Sequence, residues 1–276
     1  MIGYDPKELA RIYDGKTADA GDINALLARK DKRFFNHNGI ALYAQSLRTP
    51  SSEEDLLEML HKLEADLVEY GMRHLGTVLK EHILLDAGCG AGGTSLMIHE
   101  AFGCRIEGVT LSPKQAEFAT KAAELYGFSD NVRFFIGDIL QLPCEGNYYD
   151  IIWACESTEH LPDLDAMYNG FRRVTKPSGR LVIVTWCATD SPLGMSIKPK
   201  VDNHYKTNIH TREEYLKHAK RNGWTIDKQI DMTDMTAPYW KLRSTSEHRT
   251  GSETFMAEGF STGALEYYLF TFDRER

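Results

Sequence analysis

From Ile83 onward the chain alternates short apolar runs with longer stretches in which apolar residues recur every three or four positions. HILLDAGCG, CRIEGVTLS, VRFFIGDI, YDIIWACES and GRLVIVTWC each read as a buried strand running into a loop, and GGTSLMIHEAF and PKQAEFATKAAELYG between them read as helices. Apolar strands alternating with helices predict an α/β fold, a parallel sheet covered on both faces. The last apolar run, EYYLFTFDR, predicts a strand that pairs antiparallel. Upstream, SSEEDLLEMLHKLEADLVEYGMRHLG places Leu56, Leu60, Leu63, Leu67 and Tyr70 on one helical face behind Ser51 or Ser52 as N-cap, which predicts a long helix packed on the sheet. Residues 1–50 are less regular, with a short helix at Pro6 to Tyr13. Residues 190–260, rich in Tyr, Trp, His and Met, read as an insertion over the carboxyl edge of the sheet.

Composition narrows the function classes. The 276 residues are 42% hydrophobic and 26% charged with a formal net charge of −8, as in an ordinary soluble domain. Without an extended basic run, nucleic acid is not an expected partner. No apolar run approaches about 18 residues, so no membrane span is expected. The N-terminal MIGYDPKELARIYDG shows no secretory pattern. Five cysteines (Cys89, Cys104, Cys144, Cys155, Cys187) lack metal-type spacing and read as reduced thiols of a cytoplasmic protein, with no metal held by protein side chains. The cationic RKDKR, Arg29 to Arg33, is short and contains an aspartate, as in a solvated face.

The strongest chemical signal is ILLDAGCGAGGTS. Gly88, Gly90 and Gly93 fit G-x-G-x-x-G between a strand and a helix, where glycine lets the backbone approach a ligand at the helix N-terminus. Asp86, two residues before the first glycine, suits a ligand ammonium better than a pyrophosphate. The next strand ends in Thr110-Leu111-Ser112, without the acid that a nicotinamide fold places roughly 20 residues on, which argues against an oxidoreductase. Asp138 in GDI ends the third strand and could meet an adenine amino group. The alternative is that Asp86 and Asp138 cap helices or turns. In WACESTEHL, Glu156, Glu159 and His160 crowd where a core strand meets solvent.

The segments LDAGCGAGG, EGVTLSPKQ and GDI resemble class I S-adenosylmethionine-dependent methyltransferases. The TLSxxQ form, Thr110 to Gln115, resembles the branch with cyclopropane-forming and sterol methyltransferases, which methylate carbon–carbon double bonds. CESTEHLPDLD, NIHTREEYL, APYWKLRSTSEHRTG and LEYYLFTFDR resemble the terpenoid C-methyltransferases, typified by geranyl diphosphate 2-C-methyltransferase, from about Asn36 to the C-terminus. The resemblance implies a Rossmann-like fold with a mostly parallel seven-stranded sheet. It also implies a helical N-terminal lid over 1–50, a methyltransferase domain over 51–276 and a homo-oligomer.

It implies further that S-adenosylmethionine is held by Asp86, Gly88, Gly90, Thr110, Leu111, Gln115, Asp138 and Ile139. Thr110, Leu111 and Gln115 would surround the ribose and adenine, and Gly88 and Gly90 the methionine portion. An alkene attacking the sulfonium methyl becomes a carbocation, which needs aromatic faces, worth roughly 0.5–2 kcal/mol each, and a base. Glu156, in E-S-T, matches the family's base; its bland alternative is a helix cap. Tyr205, Tyr239 and Trp240 are the aromatic candidates, and Tyr13, Asn38 and His160 the acceptor-side ones. His160 and His210 also read as structural histidines, His210 beside the capping-box pattern of TREEYLKHAKRNG.

Two stretches depart from the family. Phe35-Asn36-His37-Asn38-Gly39 stands for H-H-H-Y-G, with Asn38 in place of a pocket tyrosine, and Tyr13 is followed by Asp14-Gly15 instead of asparagines. Two acceptors therefore stay open. One is a prenyl diphosphate with magnesium, for which Arg29, Lys30, Lys32 and Arg33 offer phosphate contacts. The other is a geranylated indole alkaloid, cyclised on methylation, which needs neither magnesium nor a diphosphate site. A non-catalytic module would be expected to lose the glycine loop or Glu156, and an O- or N-methyltransferase to need less aromatic lining.

Overall fold

The computed structural model describes residues 3–42 and 47–275, so the predicted 1–50 segment includes residues 1–2 and 43–46 that lie outside the described residues. Helices α1 (Pro6–Ala18), α2 (Ile23–Leu27) and α3 (Glu53–Met72) precede β1 (Ile83–Ala87). Then follow α4 (Gly93–Phe102), β2 (Arg105–Thr110), α5 (Pro113–Tyr126), β3 (Val132–Ile136), β4 (Tyr149–Cys155), α6 (Leu164–Val174) and β5 (Thr175–Ala188). The chain closes with α7 (Pro192–Tyr205), α8 (Arg212–Arg221), β6 (Trp224–Asp231), α9 (Thr233–Arg243), α10 (Glu253–Ser261) and β7 (Leu265–Arg274).

The strands form one sheet in the order β3-β2-β1-β4-β5-β7-β6, parallel except for β7, which runs antiparallel to β5 and β6. This is an α/β Rossmann-like fold with a mostly parallel seven-stranded sheet. Successive strand residues divide between two cores: Leu84, Ile151, Trp153, Val182 and Val184 pack on one face, Leu85, Ile152, Ala154, Leu181 and Ile183 on the other. That two-residue period, apolar on both sides, is why the strands read as continuous apolar runs. Helices α3, α4 and α5 cover the first face; α6 and α8 cover the second. β1 lies between β2 and β4, where the strand order reverses, so the helices that follow β1 and β4, α4 and α6, pack on opposite faces and leave a crevice at the carboxyl edge.

Most predicted elements have these positions, with two differences. Helix α1 continues through Asp14 and Gly15 to Ala18. Asp5 caps its start by accepting from the Lys7 and Glu8 amides, and the Asp14 carboxylate accepts from Ser112 Oγ at 2.6 Å and Lys114 N at 2.9 Å. Those tertiary bonds hold a helix end that local propensity alone would stop. The 190–260 stretch, read as an insertion, also supplies the edge strand β6, in which TIDKQID has only Ile226 and Ile230 as apolar residues and so lacks a sustained apolar alternation to reveal it. The long predicted helix is α3, capped by Ser52, whose side chain accepts from the Asp55 amide. No helix of the described residues is long and apolar enough to cross a membrane.

A methyl added at Gly71 of α3 would collide with the Trp153 indole at the centre of the sheet, whereas one at Gly170 of α6 meets nothing within 4 Å. Gly71→Ala is therefore expected to destabilise by about 1–3 kcal/mol, and Gly170→Ala to be neutral or stabilising by about 0.5–1 kcal/mol. Urea denaturation of the two variants beside the parent checks the pair.

Candidate active site

The loop after β1 turns through Gly88 (φ 84°), Gly90 (φ 52°) and Gly92 (φ 86°), all left-handed, and delivers the chain to the N-terminus of α4. The Gly88 and Cys89 amides both donate to Val109 O at 2.9 Å, which ties the loop to β2. A side chain at Gly88 would meet Ser157 in the loop after β4, so glycine lets the two loops close on each other. Along this edge runs a cleft lined by Asp86, Gly88, Gly90, Thr110, Leu111, Gln115 and Ile139 among others.

Within it, Thr110 Oγ1 donates to Gln115 Oε1 at 2.7 Å and Gln115 N donates to Ser112 Oγ at 3.1 Å, which fixes the turn into α5. Asp138 does not line the cleft, though its neighbours Gly137 and Ile139 do. Its carboxylate accepts from Leu140 N at 2.8 Å and from the Tyr4 hydroxyl at 2.9 Å, both through Oδ1. Asp86 accepts from Ser95 Oγ at 2.6 Å through one oxygen only. Burial pushes its carboxyl up to about 7, against that hydrogen bond. A buried acid of this kind gains from a cationic ligand, and glycine turns, a helix N-terminus and a polar turn at Thr110–Gln115 fit a nucleoside with a charged tail.

A second cavity adjoins the first. Tyr13, Asn36, His37, Glu156 and His160 line both. Glu156 follows the last residue of β4 in a left-handed conformation, φ 47°, with its amide donating to Val184 O at 2.8 Å. Such backbone strain in a non-glycine residue is kept only where the surroundings dictate it. Its Oε1 accepts both the Asn38 amide and the Tyr267 hydroxyl, each at 2.6 Å. Burial first, then the Glu159 carboxylate, push Glu156 up to about 8, while those hydrogen bonds pull the other way. Glu159 is buried with one oxygen accepting from Trp186 N at 2.9 Å, and burial pushes it up to about 7.

The aromatic candidates Tyr205, Tyr239 and Trp240 all reach this second cavity. The Tyr205 hydroxyl donates to Ser252 Oγ at 2.6 Å, and that of Tyr239 donates to Glu64 Oε1 at 2.8 Å, so each ring is held by its polar tip. His160 Nδ1 lies 3.1 Å from Lys206 O, and Nε2 accepts from the Tyr13 hydroxyl at 2.9 Å. Burial holds its pKa down to about 4, so the ring is neutral and joins α1 to the loop after β4. Asn38 is buried; its amide holds Glu156, and its side-chain nitrogen has no partner among the described residues. His210 is structural, with Nε2 lying 2.8 Å from Leu161 O, and the cap of α8 is the Thr211–Glu214 box.

The RKDKR side chains line neither cavity. Lys30 pairs with Glu54 and Glu58, Lys32 Nζ donates to Arg29 O, and Arg33 pairs with Glu100 at 2.7 Å. The cations of the second cavity are Lys16, from α1, and Arg243, from α9. Lys16 Nζ stands 5.4 Å from the Tyr13 ring and 5.6 Å from that of Tyr205, and burial lowers its pKa. Arg243 donates through Nη1 to Asn24 Oδ1 and to the Tyr239 hydroxyl, each at 3.0 Å. The pattern also passed over Trp186 and Tyr267, which are paired neighbours on β5 and β7. β7 is antiparallel, so its first residues reach the carboxyl edge; only the register tells that Tyr267, and not Tyr268, points to Glu156.

A methyltransferase-domain family matches residues 84–179. A geranyl diphosphate 2-C-methyltransferase of Streptomyces lasalocidi is 35% identical over 274 residues, covering 97% of this chain and 90% of that protein. A geranyl diphosphate methyltransferase solved in complex with GPP and sinefungin superposes with a TM-score of 0.90 at 34% identity, covering 98% of each chain. The Streptomyces coelicolor A3(2) geranyl diphosphate C-methyltransferase, solved with Mg2+, geranyl diphosphate and S-adenosyl-L-homocysteine, gives 0.87 at 32% identity, covering 98% of this chain and 97% of that one.

Replacing Asp86 by Asn is expected to weaken S-adenosylmethionine binding by about 2 kcal/mol or more, some thirtyfold, the cost of truncating one partner of a buried charge pair. The folded pKa is raised above the unfolded value, so this group's contribution to stability falls as pH rises toward about 7. The unliganded Asn variant should accordingly gain stability over the parent at about pH 8 and less so at about pH 5. Calorimetric titration and thermal melts at the two pH values read both effects.

Proposed function

This chain belongs to the geranyl diphosphate 2-C-methyltransferase family of S-adenosylmethionine-dependent enzymes, and from that premise we propose that it transfers a methyl group to an alkene carbon of a prenyl diphosphate through a carbocation that Glu156 deprotonates. The observation that carries the reading is the place of Glu156, which lines both the glycine-loop cleft and the adjoining cavity.

S-adenosylmethionine supplies an electrophilic methyl on a sulfonium, whose S–CH3 bond breaks as the alkene π pair forms the new C–CH3 bond. Asp86 offers its unbonded oxygen to the cationic tail, and Thr110, Leu111 and Gln115 enclose the nucleoside side. In the second cavity Tyr205, Tyr239, Trp186 and Trp240 present aromatic groups to the acceptor chain, with an attraction to a carbocation of roughly 0.5–2 kcal/mol per ring. Glu156 then takes one proton on its carboxylate while the C–H pair becomes the new double bond.

The second cavity is rich in donors. Lys16 and Arg243 supply positive charge, the latter with Glu253 Oε1 3.6 Å from its Nε, and Asn38 Nδ2 and Trp240 Nε1 are buried without a hydrogen-bond partner among the described residues. Buried donors of that number favour an oxygen-rich, anionic acceptor group over a neutral indole. A magnesium ion would take its ligands mainly from the diphosphate and water, since no group of three or more His, Cys, Asp or Glu suited to a metal comes together among the described residues.

We read residues 1–50 as a lid on a methyltransferase domain spanning 51–276. Supporting this, α1 and the residues before it bond to the loops after three strands: Asp14 to Ser112, Tyr4 to Asp138 and Tyr13 to His160. Tyr4, Leu9 and Tyr13 also wall the cofactor-side cleft.

Glu156→Gln is expected to hold S-adenosylmethionine with unchanged affinity while turnover falls about 10²–10⁴-fold; unchanged turnover in a methyl-transfer assay removes Glu156 as the base. Methyl label offered with C5, C10 and C15 prenyl diphosphates should enter one of them only in the presence of magnesium. Label entering a geranylated indole instead would make the acceptor a neutral ring system and overturn the diphosphate reading.

A further inference from the structure

The two hydrogen bonds to Glu156 fall on the same oxygen. Oε1 accepts the Asn38 amide and the Tyr267 hydroxyl, each at 2.6 Å, and the Trp186 indole is the remaining donor beside the carboxylate. A glutamate carboxyl otherwise turns about its last torsion with little preference, so paired donors on one oxygen settle which oxygen serves the cavity.

Both donors are themselves held. Tyr267 is fully buried, its amide donates to Thr233 Oγ1 at 3.0 Å, and its carbonyl accepts from Met232 N at 2.7 Å. Its ring packs edge-on against Phe260, and its register partner is Trp186. The Asn38 carbonyl lies 2.8 Å from His37 Nδ1. The left-handed backbone at Glu156 fixes the root of the same side chain.

We propose that Tyr267, with the Asn38 amide, is a positioning residue that makes Oε2 the proton-accepting atom of Glu156 and thereby selects which C–H bond of the carbocation is broken. This rests on the reading of Glu156 as the base. A tertiary cation has several adjacent C–H bonds of comparable acidity, so the alkene formed is set by which hydrogen lies nearest the base. The proton goes to Oε2, its bonding pair forms the double bond, and the carboxylate becomes a carboxylic acid.

The same bonds stabilise the anion of Glu156. Facing it are Glu159 and Cys155 from its own loop and strand, Tyr267 from β7, Tyr13 from α1 and Tyr205 from α7. Lys16, His37, His160 and Arg243 border the same cavity. Burial drives Cys155 and the three tyrosines upward, so they remain neutral, and Glu159 is the other acid in range. Removing the Tyr267 hydroxyl costs the Glu156 anion a donor, so the carboxyl ionises at higher pH.

The test is Tyr267→Phe in the full chain, assayed with the accepted prenyl diphosphate beside Glu156→Gln. Expected are unchanged S-adenosylmethionine affinity, a mixture of double-bond isomers in place of one product, and an acid limb of the rate profile moved up by about one pH unit. One product and an unmoved limb, with Glu156→Gln inactive, overturns the proposal while leaving Glu156 as the base. Full turnover by Glu156→Gln overturns that reading and the proposal with it. Should Tyr267→Phe fold poorly, 3,5-difluorotyrosine placed at 267 keeps the ring and makes a stronger donor. The limb should then move down, and a limb that stays put overturns the proposal.

Discussion

A carboxyl group withdrawn from water is costly to charge, and the architecture depends on keeping one in that condition beside a place where positive charge is to appear. Glu156 stands where the sheet order reverses, on a strained backbone, with another buried acid three residues away. Unliganded, it is pushed up to about 8. A bound cation reverses the balance, because Coulomb attraction in a poorly hydrated cavity exceeds what the same pair would feel in water. Asp86 repeats the logic on the cofactor side, pushed up to about 7 with a single hydrogen bond. Two acids that burial makes reluctant to ionise therefore each stand to gain from a cation brought beside them.

The rest of the molecule follows from holding these groups still. Neighbouring strand residues divide between two apolar cores, so β1 and β4 are rigid from both faces and their ends are well-defined platforms. The antiparallel β7 brings a strand beginning to an edge otherwise made of strand ends, and with it Tyr267. Arg243 and Tyr239, one helical turn apart on α9, carry the polar network of Glu64 and Asn24 to the back of the acceptor cavity.

How much of this the sequence disclosed depends on how local the signal is. Asp86, Gly88, Gly90, Thr110, Leu111, Gln115 and Ile139 lie at the ends of consecutive strands, and parallel topology brings such ends together. Asp138 shares that strand-end placement, and its Oδ1 is shared between Leu140 N and the Tyr4 hydroxyl, a tertiary bond that no local pattern announces. The acceptor side depends on long-range pairing. Tyr267 was hidden by the β5–β7 register, and Lys16 by a helix that continues past Gly15, where Asp14 bonds to the loop after β2. Charge density pointed to RKDKR, whereas the cavity's cations are isolated residues far apart in sequence. Strand β6 escaped because an exposed edge strand needs no apolar face.

The split between local and long-range parts has a further consequence in time. Every residue lining the cofactor-side cleft lies at or before Leu161, whereas the acceptor cavity extends to Arg243 and the tether on Glu156 to Tyr267. A chain synthesised from its N-terminus emerges in that order. The part that grips a reactive alkylating reagent is spelled out before the part that tames the cation, and β7, threaded between β5 and β6, is the strand that joins them.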